Sequence, residues 1–189
     1  MAAFSRLLPA LVLLTACSED VLQTTPIYAP QTAAVTEERI SSRYRSVEVV
    51  EVTLPTYAED EAIYVRDGEG ALSALGPFWA DAPARSVTMQ LARELGAITG
   101  ARVAPEPWPF RTFADVRVDV RVEDFVATSS GAFLIAGQYF VAPDSGERER
   151  AGRFEITAPL ANASSAGIAM ARSNAVAQLA VEVAREGLR

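Results

Sequence analysis

The residues with the clearest chemistry are Leu14-Thr15-Ala16-Cys17, which hold the chain's only cysteine and close a short apolar run. A thiol in that setting is a site of lipid attachment. It takes a diacylglyceryl group, a lipoprotein-type signal peptidase cuts before Cys17, and the mature chain begins at an acylated cysteine. Met1 to Arg6 form a short n-region with one positive charge, and Leu7 to Leu14 form the apolar stretch. Those eight residues, interrupted by Pro9, are too few to span a bilayer, which takes ~20 in a helix. Palmitate-type acyl chains are then the membrane anchor. Each buried methylene is worth ~0.8 kcal/mol, so two or three chains hold where one would not. Ser18 stands where an aspartate would retain the protein at the inner membrane, which favours the periplasmic face of the outer membrane.

Other chemistries are scarce. The chain has no histidine, so neither a Ser-His-Asp nor a Cys-His arrangement can be built. The usual histidine-containing zinc sites are excluded for the same reason. With Cys17 acylated, no thiol remains for a disulfide or a metal. Carboxylate-only catalysis survives on paper, and Glu59-Asp60-Glu61 and Glu123-Asp124 are the densest acidic groups. Both read as solvated strand ends. Nothing in the sequence calls for a cofactor, and the expectation is a protein that is not an enzyme.

Charge points the same way. From Cys17 onward the chain has 24 acidic residues and 16 arginines, with no lysine at all, for a net charge of about −8. A nucleic-acid protein needs a basic face to neutralise phosphates, and this balance argues against one.

The elements that position these residues follow from periodicity. Residues 17–44 hold Thr, Gln, Ser, Pro26 and Pro30 without a clear period. They read as the lipidated N-terminus and a flexible tether, with a mean span of roughly 30 Å for about 27 residues. The folded domain is expected over 45–189, a size that supports one real core. Val47 to Leu54 and Ala62 to Arg66 are β-rich, and Asp67-Gly68 closes the second as a hairpin turn into a short strand at 71–75. Asp81 and Pro83 suggest a helix cap, and Val87, Leu91, Leu95 and Ile98 give one apolar face, with Arg85, Arg93 and Glu94 pointing elsewhere. Gly100 ends that helix. Arg102 to Ala104 starts a strand that Pro105, Pro107 and Pro109 around Trp108 prevent from continuing.

Val116, Val118, Val120 and Val122 alternate with Arg117, Asp119, Arg121 and Glu123, the mark of a strand with one buried and one charged face. Turns at Ser129 to Gly131 and Pro143 to Gly146 make an antiparallel meander with 132–141 and 152–158. A helix from Ser164-Ser165 to Gly187 carries Val176, Leu179, Ala180 and Val183 as its stripe, with Asn174, Gln178, Glu182 and Arg185 opposite. The fold class is α/β: one domain, a mixed but mostly antiparallel sheet of six or seven strands, and two main helices on it. Phe78, Trp79, Trp108, Phe110 and Phe113 read either as core or as an exposed apolar face.

In that order, these features resemble the ABC-type transport auxiliary lipoprotein family, whose members include PqiC-type subunits of intermembrane transport systems. The resemblance rests on Ala62 to Gly68, Phe78-Trp79-Ala80 with Pro83, Leu91-Ala92, Leu95-Gly96 and Arg102-Val103. Further on it takes in Pro107-Trp108, Val116 to Val122 and Ala171 to Ala184. Many relatives place a tryptophan where this chain has Gln138-Tyr139-Phe140. The resemblance implies a non-catalytic accessory lipoprotein that docks with an MCE-domain conduit of an intermembrane lipid transport system. It implies phospholipid or a similar hydrophobic cargo, outer-membrane anchoring, a contribution to envelope integrity and possible homo-oligomers. The alternative from the same residues is an outer-membrane scaffold or activator of a cell-wall or envelope machine. That role calls for a longer, more Pro-rich tether than residues 18–44.

Overall fold

A computed structural model describes residues 27–28 and 38–189. The leader 1–16, Cys17 and residues 18–26 and 29–37 of the proposed tether lie outside them.

Thirteen residues, Val116–Thr128 (β6), form the spine of an eight-stranded sheet. Their alternation works as written: the four valines from Val116 to Val122 are buried, while Arg117, Arg121 and Glu123 are exposed on the other face. Along one edge β6 pairs antiparallel with Ala132–Pro143 (β7), which in turn pairs with Arg150–Pro159 (β8). This is the expected meander. Along its other edge β6 has two successive parallel partners. Ser46–Val49 (β2) takes the start, and Ala62–Arg66 (β3) takes the end through Val65↔Ala127. Between them the chain holds on by single bonds, Val50 N–H to Val118 O at 2.9 Å and Thr53 N–H to Val120 O at 3.1 Å.

The outer strands extend each half. Arg102–Pro105 (β5) lies parallel to β2, and Leu72–Trp79 (β4) makes the hairpin with β3. β4 runs four residues beyond the short strand expected from the sequence. Ile27–Tyr28 (β1) lies parallel to β4 at the edge. The sheet therefore has seven strands of ordinary length plus this two-residue addition, and it is mixed, as expected.

Both helices lie on one face. Pro83–Thr99 (α1) covers the β2–β5 half and Ser165–Glu182 (α2) covers β7 and β8. Val87, Leu91, Leu95 and Ile98 are buried, as their spacing requires, and Gly100 ends α1 at φ 69° in the left-handed region that favours glycine. Ser164 caps α2 by accepting the Gly167 N–H at 3.1 Å. α2 then closes in a π-turn, Val183–Gly187, that seats Gly187 on β7.

Three details differ from the sequence reading. The cap of α1 is Ala82, because the Asp81 carboxylate binds the Arg85 guanidinium and its own neighbour's N–H instead of closing the first turn. Glu94 does not point to solvent; it is 1% exposed, and only its contact with Arg93 at 2.8 Å reaches outward. The packed domain also begins before residue 45. Ile40 and Tyr44 are buried, with Ile40 N–H bonded to Ile98 O and Arg43 N–H to Leu188 O. Residues 38–44 plug the ends of both helices, and isolated apolar residues doing so leave no period in the sequence.

Candidate functional site

The candidate site is the loop between β5 and β6. Pro105, Pro107 and Pro109 deny that stretch the donors a sheet ladder needs, so its order must come from side chains. The Trp108 indole N–H donates to Thr112 O at 2.6 Å, and the Trp108 backbone N–H donates to a Glu48 carboxylate oxygen at 3.2 Å. The Trp108 and Phe110 rings meet edge to face at 4.9 Å. Arg102 reaches from β5 over the Phe110 ring at 5.2 Å. On the open face of the sheet Arg117 ties the loop's base to β2, with contacts to Glu48 at 3.0 Å and Glu106 at 3.3 Å. Asp115 closes the loop by accepting the Arg45 and Ser46 N–H groups at 2.7 and 3.0 Å.

This braced loop leaves Phe113 in solvent, 85% exposed, with Phe110 half exposed beside it. Phe113 separates two clefts. One, of about 520 Å³, is lined by Trp108, Phe110, Arg111, Arg117 and Ala142. The other, of about 800 Å³, is lined by Tyr44, Arg45, Thr99, Arg102 and Thr112.

The five aromatics singled out from the sequence thus divide. Trp108, Phe110 and Phe113 come together on the surface. Trp79 is core, and Phe78 stands apart, half exposed in β4. In the Gln138-Tyr139-Phe140 stretch, Tyr139 takes the buried position, while Phe140 faces outward under the Arg121 guanidinium at 5.1 Å.

The acidic groups do not converge. Glu59, Asp60 and Glu61 are exposed. Glu123 pairs with Arg153 at 3.2 Å and accepts from Gln138 at 2.7 Å, while Asp124 pairs with Arg66. Arg121 pairs with Asp119 at 2.9 Å, so the outer strand face neutralises itself. Among the described residues no three metal-ligating groups gather.

Sequence reasoning missed one group, Arg172. It is 1% exposed within α2, stacked between Trp79 at 5.3 Å and Phe125 at 5.8 Å, and donates to Ser86 Oγ at 2.8 Å. Burial pulls its guanidinium well below the usual arginine range, down to about 10, against a smaller upward pull from Asp81. The signal was present: Arg172 lies four residues before Val176, on the same stripe.

A mixed sheet with two helices on one face and an ordered aromatic loop at its edge makes up a single α/β domain. Residues 28–184 match the ABC-type transport auxiliary lipoprotein component family, and the chain belongs to it. Among solved structures, the crystal structure of an uncharacterized protein is similar at TM-score 0.72 and 16% identity, covering 87% of this chain and 99% of that one. A protein from Xanthomonas campestris is similar at TM-score 0.68 and 19% identity, covering 86% and 94%. At these identities the likeness is one of fold. A PelC dodecamer from Paraburkholderia phytofirmans follows at TM-score 0.46 and 15% identity, covering 79% and 94%. No curated protein matches the chain in sequence. Among the described residues no helix is long and apolar enough to cross a membrane.

Proposed function

We propose that this chain is the lipid-anchored accessory component of an intermembrane phospholipid transport system. It docks with an MCE-domain conduit at the periplasmic face of the outer membrane and supports envelope integrity. The observation that carries this reading is the family match over residues 28–184 directly behind a lipidation box at Cys17. The domain acts by contact, with the braced aromatic loop as its most distinctive surface, and self-association into homo-oligomers fits the role.

The test is genetic. Cells lacking the protein lose resistance to detergents that an intact outer membrane excludes, and the wild-type gene restores it. Cys17→Ala leaves an uncleaved, unlipidated precursor and fails to restore resistance, although the domain itself is unchanged. A Cys17→Ala protein that is still processed, membrane-bound and active contradicts the anchor. A deletion strain with an intact barrier and normal phospholipid distribution contradicts the function.

A further inference from the structure

β8 is an open edge of the sheet, and its backbone shows which groups it leaves unpaired. Leu160 N–H donates to Gly131 O at 2.9 Å, and the β7–β8 register runs unbroken from Ala132↔Pro159 to Val141↔Arg150. Bonded and non-bonded pairs alternate in an antiparallel ladder, so the even-numbered residues from Arg150 to Ala158 spend their backbone groups on β7. Ala151, Arg153, Glu155 and Thr157 therefore turn N–H and C=O outward, where no strand among the described residues meets them. Their side chains are all exposed, while Phe154, Ile156 and Ala158 are buried on the other face.

Such an edge is ordinarily blunted by brevity, a bulge, proline or a covering element. The other edges of this sheet are blunted: β5 is four residues long and ends at Pro105, and β4 contains Pro77 and is covered at Phe78 and Trp79 by β1. β8 is ten residues long, has no bulge and keeps proline to its last position. Beside it a cleft of about 600 Å³ is lined by Ile156 with Gln178, Val181 and Glu182 of α2, so α2 leaves the edge open on the helix side.

The charges on β8 select one occupant. In an antiparallel pairing of two β8 strands about a two-fold axis at Phe154, Arg153 of each copy stands opposite Glu155 of the other, and Ala151 opposite Thr157. The bonded pairs of that register exchange about eight backbone hydrogen bonds. Moving the axis to residue 153 sets Arg153 against Arg153, and moving it to 155 sets Glu155 against Glu155; like charges directly opposite destabilise. Arg153 is 73% exposed beyond its contact with Glu123, and Glu155 has no cation within ion-pair distance among the described residues. One register thus matches both charges twice over.

We infer that β8 is a self-association edge, to which a second copy of this chain adds its own β8 antiparallel in the Arg153–Glu155 register, joining two sheets into one. This rests on the self-association proposed above, and not on the anchor or the transport partner. It adds the surface, the symmetry and the charges that set the register.

The test uses the full chain. In its own membranes, Ala151→Cys/Thr157→Cys oxidised with copper phenanthroline should give a disulfide-linked dimer, since bonded pairs hold Cα atoms ~5.5 Å apart, within disulfide reach. Six residues of strand, about 20 Å, separate the two positions within one chain and separate like positions across the axis. Neither single variant should therefore crosslink, and both control for Cys17, the native cysteine. In detergent solution, Glu155→Arg should raise the dimer dissociation constant about tenfold, read by sedimentation with thermal melting unchanged. Arg153→Glu/Glu155→Arg should bring it back to within about threefold of wild type, because the pairs are restored with their signs exchanged. A monomeric wild type, absence of the 151–157 disulfide, a dissociation constant unmoved by Glu155→Arg, or no rescue by the double reversal each overturns the inference. Recovery of an MCE-domain protein with the dissociated Glu155→Arg chain would leave the transport reading standing by itself.

Discussion

Gly137→Ala is expected to cost about 3 kcal/mol of stability, with a melting temperature lower by roughly 6–12 °C. Gly137 lies in β7 opposite Val122, where β6 shifts register between Val122 and Asp124. The extra residue pushes the β6 backbone toward β7. An added Cβ at 137 would strike the Arg121 carbonyl oxygen and come within 2.9 Å of Val122 Cα. Both obstacles are backbone, so no side chain can swing aside; the strands must separate at the spine of the sheet. Gly76 in β4 is the control, since a Cβ there meets nothing within 4 Å. Gly76→Ala should melt within ~2 °C of wild type. Equal melting of Gly137→Ala and wild type, by circular dichroism, would rule out this close approach.

Arg172 should give the second large effect, and its sign depends on what replaces it. Its guanidinium is buried without a carboxylate beside it, held by one hydroxyl and two ring faces. The drop from the usual arginine range to about 10 corresponds to a burden on the order of 3 kcal/mol on the folded state. Arg172→Met keeps a long unbranched stem and removes the charge, so it should match or exceed wild-type stability. Arg172→Ala also loses the stem and leaves a cavity among Trp79 and Phe125, so it should lose ~3 kcal/mol. Ser86→Ala strips the guanidinium of its hydrogen bond and should cost about 1–2 kcal/mol in wild type, but almost nothing beside Arg172→Met.

The pH dependence follows from the direction of the shift. The folded-state value lies below the unfolded one, so the burden is complete at neutral pH and shrinks as pH rises above about 10. The stability gap between Arg172→Met and wild type should narrow there. A constant gap, or Arg172→Met melting as low as Arg172→Ala, would show that the charge itself stabilises the fold.

What the sequence made legible was whatever has a period. The four alternating valines of β6 and the Val87-Leu91-Leu95-Ile98 face of α1 locate the meander and the first helix, because a half-buried strand and an amphipathic helix each bury one repeat. β1 was invisible because two residues carry no period, and only the tertiary pairing with Phe78 and Trp79 makes them a strand. Ile40 and Tyr44 were invisible for the same reason. Glu94 and Arg172 were misread or missed because charge predicts exposure, whereas the seam between α1 and α2 holds polar groups from both helices: Gln90 there donates to Ser173 O at 2.8 Å.

The candidate loop was half legible. Its prolines marked a segment without ladder bonds, and its aromatics were visible. Their separation into a buried Trp79 and a solvent-facing Phe113 depends on which rings the sheet and α2 enclose, which spacing along the chain does not encode.

The most direct measurement of the proposed role is recovery of partners from native membranes in gentle detergent, through a C-terminal tag, with identification by mass spectrometry. The expected result is recovery of an MCE-domain protein, with or without its permease and ATPase. The recovered chain should begin at an acylated Cys17. Recovery of cell-wall synthases in place of any MCE-domain protein would contradict that role and assign the domain to an envelope-assembly machine.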